Sequence, residues 1–350
     1  MRKLWVGNKM KLLFILYDGI QNSVFQGLVL TPLLKQLETN KDLHITIVSF
    51  EKTKPDKTII NEIQNKHAQL KLVLLRKLPY LGKLSLYFAI PQLKKVIKRI
   101  NPNQIICRGP LSGFIALKVI KKKNMPVTIQ ARGLCAQEYR FATKSHGFIF
   151  RSLEKIEKFV YGNKNIESVS PALKQYLVQT FNANPNHITI AQKDIPKPIP
   201  KATRTEYKKE IRKKLGIPEH TSVYCYAGSA KPWQCVEESI TFFAKKLAKN
   251  PNSFLLILSQ DIKQIEQIMH KTHIPKQNYR ILHVKANKLT KYLCACDYGF
   301  LFRKKDIINY VSRPTKMLEY QAANLEILHN ETVAWLQQNP FHQKIHIDQS

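Results

Sequence analysis

Acidic side chains are scarce in this chain: 24 Asp and Glu stand against 57 Lys and Arg, a formal net charge of +33 over 350 residues. Such an excess calls for an anionic partner: nucleic acid, an acidic bilayer or a phosphorylated small molecule. The lysines are spread along the chain without a nucleic-acid-binding module, which makes nucleic acid the weakest of the three. Long apolar runs are missing too. None approaches the roughly 18 residues of a membrane span, and the start, Met1 to Gly19, reads as a first strand, its apolar stretch being too short for a signal peptide and lacking a cleavage site. The six cysteines are scattered, and Cys294-Ala-Cys296 lacks the two-residue gap of a zinc knuckle, so they read as reduced core residues of a cytoplasmic protein. No metal site is expected. His342 and His346 have no glutamate between them, which argues against a zinc protease. Absent Gly-x-Gly-x-x-Gly, Gly-Lys-Ser/Thr and Gly-x-Ser-x-Gly patterns disfavour dehydrogenases, nucleotide hydrolases and serine hydrolases.

What is present is alternation. The apolar content, 44%, is that of a globular protein, and 350 residues favour two domains. Short apolar runs at 11–17, 43–50, 70–75, 103–107, 126–130, 166–169 and 187–191, then at 222–227, 253–259, 279–284, 297–302 and 325–328, are separated by helical patterns. With no hairpin signals between neighbours, this predicts an α/β chain of two Rossmann-like domains with parallel sheets. Residues 1–195 are expected as the first domain and 211–350 as the second, which looks abbreviated at its end. Prolines and charges between them predict a linker over 196–210. Basic clusters at Lys94 to Arg99 and Lys118 to Lys123 lie on segments with helical apolar spacing. Such faces suit peripheral attachment to anionic lipid, at about 1 kcal/mol per basic residue near the surface, although plain solvated faces give the same pattern.

The most informative stretch is Asp297 to Asn324. Tyr298 to Phe302 reads as a doubly buried strand, and Arg303, Lys304 and Lys305 follow at its carboxyl end, where ligands of open α/β sheets gather. Ser312 or Arg313 is expected as N-cap and Pro314 as first helical residue, with Thr315, Lys316 and Glu319 one turn in. A helix start is a seat for phosphate, and the Glu319 carboxylate suits ribose hydroxyls. Lys316 and Glu319 pairing on an ordinary amphipathic helix is the alternative.

Arg313-Pro-Thr-Lys-Met-Leu-Glu319-Tyr resembles the second-domain segment of GT-B glycosyltransferases, especially the bacterial surface-polysaccharide enzymes of family 4. Their motif has two glutamates separated by seven residues; Glu319 matches the second, and the first falls on Val311. The resemblance implies two Rossmann-like domains facing across a cleft, with the donor on the second and the acceptor on the first. It also makes Gly228, Ser229 and Lys231 the donor-gripping loop, Ser229 standing where the family has an arginine; a plain strand-to-helix turn is the alternative there. In the first domain Ala131-Arg-Gly-x-x-x-Gln-Glu-Tyr-Arg140 is similar to a segment of the same enzymes, which implies roles for Arg132 and Glu138 in catalysis and for Tyr139 and Arg140 in acceptor binding. Asp18, Gly19, Arg108 and Gly109 lie in strand-to-helix turns that would also meet the acceptor, or would be turns only.

The activity implied is transfer of a sugar from a nucleotide-diphosphate donor to a lipid-linked or surface-glycan acceptor, with retention of configuration, no metal and no cofactor besides the donor substrate. The missing Asp-x-Asp pair disfavours the metal-dependent GT-A type. The protein would work in the cytoplasm, peripherally at the membrane. The rival reading is a catalytically degenerate GT-B protein that binds a glycan, a lipid or a partner.

Overall fold

A computed structural model describes residues 10–22, 25–120, 125–162, 165–192, 196–337 and 342–344. Met1 to Lys9, Lys121 to Lys123, the start of the interdomain stretch at Asp194 and Ile195, and His346 lie outside the described residues. The chain divides into two compact units, Met1–Asp194 and Ile195–Ser350.

The first unit is built on strands β1 (Met10–Leu16), β2 (Leu43–Glu51), β3 (Leu70–Arg76), β4 (Gln104–Arg108), β5 (Val127–Ala131), β6 (Asn165–Ser168) and β7 (Ile188–Ile190). They form one parallel sheet in the order β3-β2-β1-β4-β5-β6-β7. The second unit contributes β8 (Ser222–Ala227), β9 (Ser253–Leu258), β10 (Tyr279–Leu282), β11 (Tyr298–Leu301), β12 (Glu326–His329) and β13 (His342–Lys344), in the order β10-β9-β8-β11-β12-β13. Every pairing is parallel. This is the doubly wound α/β arrangement, and all twelve apolar runs read from the sequence are strands. Helices on both faces explain their apolar continuity: along β8, Val223, Cys225 and Ala227 enter one core while Tyr224 and Tyr226 enter the other.

Strand order reverses between β1 and β4 in the first sheet and between β8 and β11 in the second. In open α/β sheets the carboxyl ends at such a reversal form the ligand crevice. Leu16 and Arg108 are register partners there in the first unit, as are Tyr298 and Tyr224 near the base of the second reversal.

The expected linker is corrected from Lys201 onward, because Lys201–Leu215 is a helix. Its composition is rich in helix formers and it ends at Gly216, whose φ of +67° suits the left-handed cap. Ile211 is buried in the second unit's core. Arg212, also buried, donates to the carbonyls of Ala295, Glu219 and Thr221 and to Asp297 Oδ2 at 2.7–2.9 Å. Asp297 also takes Lys208 Nζ and the Val223 amide. The prolines that suggested a linker only precede this docked helix.

Candidate functional site

The reversal in the second unit gathers positive charge. β8 ends at Ala227, and Gly228 follows with φ +142°, a conformation that side-chain-bearing residues rarely adopt. Its amide is held by the Leu258 carbonyl at 2.9 Å. A Cβ on Gly228 would sit 2.9 Å from Lys316 Nζ and 3.1 Å from Gln234 Oε1, so the missing side chain leaves the backbone open to what approaches these groups.

Lys316 comes from the helix Thr315–Ala323 and is 6% exposed. Its ammonium lies 4.3 Å from the centroid of the Tyr226 ring and has no hydrogen-bond partner among the described residues. Arg303 follows β11 and is equally buried, with Nη1 unpartnered in the same way; Gln234 Oε1 is a third such atom. Burial pushes the Lys316 pKa well below its ordinary value, and the nearby Arg303 guanidinium pushes it further down. Burial lowers that of Arg303 as well. Two like charges taken out of water side by side cost several kcal/mol each unless an opposite charge is supplied.

The backbone around them is tightly held. Asn330 brackets Arg303, accepting from its amide at 3.1 Å and donating to its carbonyl at 2.7 Å, and Thr332 Oγ1 donates to the same carbonyl at 3.1 Å. Tyr320 lies against Gly299 and accepts from the Ala227 amide at 2.9 Å, which ties the helix to the end of β8. Tyr226 donates to the Ser229 carbonyl at 2.7 Å, and Asp261 takes the Ala230 amide at 2.7 Å.

The helix starts at Thr315 with Pro314 in the cap position, rather than with Ser312 or Arg313 as cap. Ser312 Oγ is committed to the Asn309 carbonyl at 2.8 Å, and Arg313 is buried over the Trp335 ring at 5.2 Å. Thr315 is exposed. Glu319 is half-buried; burial raises its carboxyl pKa and Lys316 lowers it. Val311, where the resembling enzymes have their first glutamate, is 1% exposed. Lys231 is exposed and lies 5.1 Å from the Trp233 ring centroid. The structure thus brings Gly228, Lys316 and Gln234 into contact beside Arg303, and leaves Lys231 on the surface. Gln234 and the Asn330–Thr332 bracket carry no motif in the sequence; only the fold brings them here.

The reversal in the first unit is filled differently. Gly19, φ +83°, faces the Glu51 carboxylate, which accepts from the Ile20 amide at 2.8 Å and from Ser49 Oγ. Lys77 Nζ donates to the Tyr17 carbonyl at 2.7 Å, while Asp18 is exposed. Arg108 is buried at the start of the helix Gly109–Val119, and its carbonyl accepts from Ser112 Oγ at 2.7 Å. Gly109, φ +81°, has open space where a Cβ would stand. Beyond β5, Arg132 Nη2 is 3.4 Å from Glu167 Oε1, which also accepts from Gln130 at 3.0 Å. Glu138, Tyr139 and Arg140 share the helix Cys135–Thr143, with the Glu138 carboxylate folded over Gly133. Glu157 is buried against the start of that helix, and desolvation pushes its pKa up to about 8.

No protein-family model matches the chain, and no curated protein matches it in sequence. Solved structures do match its fold. HepE of Anabaena in complex with UDP is 10% identical, with a TM-score of 0.68 over 94% of this chain and 82% of that one. WaaG, a glycosyltransferase involved in lipopolysaccharide biosynthesis, is 13% identical, with a TM-score of 0.64 over 93% and 82%. A glycosyltransferase from Rickettsia africae is 12% identical, with a TM-score of 0.62 over 92% and 79%. These likenesses establish the GT-B fold for the chain: two Rossmann-like units, each with a parallel sheet.

Proposed function

We propose that the protein is a glycosyltransferase that takes a sugar from a nucleotide-diphosphate donor held by the second unit. The observation that carries this is the pair of buried cations, Arg303 and Lys316, unpartnered at the strand-order reversal beside Gly228. A diphosphate supplies the acceptor oxygens that Lys316 Nζ and Arg303 Nη1 lack, beside the Glu319 carboxylate that already acts on Lys316, and the bare Gly228 backbone lets it approach. HepE has been captured with UDP on the same fold, which supports a nucleotide ligand here.

Cleavage of the glycosidic bond leaves negative charge on the diphosphate and oxocarbenium character on the sugar. Two fixed cations in a dry site stabilise that charge as it grows without needing to reorganise. The amides at the start of Thr315–Ala323 add their dipoles, with Pro314 and Ser312 shaping the approach, and no divalent metal is required by this scheme. Gly228, Ser229 and Lys231 line the donor's path, and Glu319 receives the ribose hydroxyls. Asp18, Gly19, Arg108, Gly109, Tyr139 and Arg140 receive a lipid-linked or surface-glycan acceptor, with Arg132 and Glu138 acting at the reacting sugar. Retention of configuration is the outcome that resemblance to family 4 implies.

A second reading, a GT-B protein that binds without catalysis, rests on Val311, whose buried apolar side chain replaces a sugar-contacting carboxylate. One experiment separates the two. UDP-, GDP- and ADP-sugars, with a CMP-sugar as monophosphate control, are tested for thermal stabilisation and nucleotide release with wild type and Lys316→Met. Stabilisation plus release, both lost in the variant, supports the transferase. Stabilisation without release over an acceptor panel supports the binding protein. Absence of any stabilisation overturns the donor site itself.

A further inference from the structure

The first unit carries a cluster of large apolar side chains that its own fold leaves uncovered. Leu84 on the short helix Lys83–Tyr87 is 80% exposed, Leu81 just before it 70%, and Phe148 at the start of the helix Phe148–Tyr161 72%. They are neighbours in space: the Phe148 ring packs on Gly82, where a Cβ would come within 2.7 Å of it. Tyr87 and Phe88 extend the cluster, also exposed, and Tyr87 meets the buried Phe114 edge-on. Exposed apolar residues scattered singly are ordinary; a contiguous group of this kind marks an interaction surface.

The surroundings of this cluster are basic. The helices Lys83–Tyr87, Ala89–Ile100 and Gly109–Val119 carry Lys83, Lys94, Lys95, Lys98, Arg99 and Lys118 and no acidic residue. Phe148–Tyr161 adds exposed Arg151, Lys155 and Lys158 at helical spacing from Phe148, against two acidic residues, Glu154 half-buried and Glu157 buried. These helices pack on one another, so the basic and apolar residues belong to one layer. Lysines spread over several helices match a diffuse anionic surface better than a shaped protein partner. Protruding leucine and phenylalanine in the same layer as these cations match the acyl boundary beneath lipid headgroups.

We propose that Leu81, Leu84, Tyr87, Phe88 and Phe148 insert into the interface of an anionic lipid bilayer while the surrounding lysines and arginines engage lipid phosphates. No helix among the described residues is long and apolar enough to cross a membrane, so this is attachment to one surface. The proposal does not depend on the nucleotide site, and its test reads a different signal.

The full chain is sedimented with vesicles of phosphatidylcholine alone or mixed with phosphatidylglycerol. Wild type is expected to bind the mixed vesicles and not the neutral ones. Leu84→Ser should weaken binding on the order of tenfold, as loss of one buried leucine does. The combination Leu81→Ser, Leu84→Ser and Phe148→Ser should abolish binding without lowering Tm, since all three sites are exposed. A Phe148→Trp reporter should shift its emission to the blue on mixed vesicles. Failure of wild type to bind, full binding by the triple variant, or an unshifted reporter on bound protein would each overturn the insertion. So would a dimer that the triple variant disperses without any vesicle binding, which would assign the patch to a second copy of the chain.

Discussion

At the strand-order reversal of the first sheet, the protein fills the turn with its own groups: Glu51 takes the Ile20 amide and the Ser49 hydroxyl, and Lys77 holds the Tyr17 carbonyl. At the corresponding place in the second sheet, Gly228 stands against Lys316 and Gln234 beside Arg303, and Lys316 Nζ, Gln234 Oε1 and Arg303 Nη1 have no hydrogen-bond partner among the described residues. Strand order is the same through the first six positions of both sheets, so topology does not make the difference. Chemistry does. The first turn has its Ile20 amide and Tyr17 carbonyl paired, with only the Tyr17 hydroxyl lacking a hydrogen bond there, whereas in the second the Lys316 ammonium has no hydrogen bond among the described residues, and a buried charge without one is destabilising. The same crevice is therefore held by a carboxylate and a lysine in one unit and lined by buried cationic groups in the other.

The sharpest way to break this contrast is to remove the charge. Lys316→Met should weaken nucleotide-diphosphate binding on the order of a hundredfold, read by calorimetry, because a charge-assisted contact is lost inside a dry site. The unliganded protein should at the same time become more stable, by about 1–4 kcal/mol in urea, since the burial cost that depresses the Lys316 pKa, larger than its attraction to Glu319, has gone. Lower stability with unchanged binding would show that Lys316 is only a packing residue.

That gain should depend on pH in a definite sense. The Lys316 pKa is depressed below 10.5 in the folded state, so between the folded value and 10.5 the unfolded chain holds the extra proton. Wild type then gains stability with rising pH relative to Lys316→Met. Paired urea titrations at neutral and alkaline pH should show the gap narrowing; a gap that widens would contradict burial of a charged ammonium.

Gly228→Ala tests the open backbone. The added methyl group meets Lys316 Nζ in a conformation that alanine resists, so binding should fall about tenfold and stability by about 1–3 kcal/mol. The smallest effect on binding belongs to the first unit. Glu51→Ala should cost about 1–3 kcal/mol of stability by stranding the Ile20 amide and the Ser49 hydroxyl, with nucleotide affinity unchanged by calorimetry. A loss of affinity there would mean that the two reversals are coupled.

Much of the fold was legible because its signals are local. Each doubly buried strand is a short apolar run, and each run was read as a strand; β13, His-Gln-Lys, was not, because three polar residues have no apolar pattern. The helix Lys201–Leu215 hides in the sequence as linker because prolines precede it and its exposed face is charged, while Ile211 and Arg212, which dock it, are single residues. In the candidate site, Arg303, Lys316 and Gly228 were readable from their places after strands and at a helix start. Gln234, Asn330 and Thr332 were not, since their role depends on contacts with residues far along the chain.

The amino-acid sequence by itself determined the α/β alternation, the two units and the positions where a glycine or a helix start could meet an anion, because periodicity and turn chemistry act within a few residues. Tertiary structure alone decided which cations would be buried without partners and which turn would be filled by its own carboxylate. Burial and pairing are set by what the folded chain brings from a distance: Glu51 to Gly19 across β2, and Lys316 to Gly228 across 88 residues of sequence.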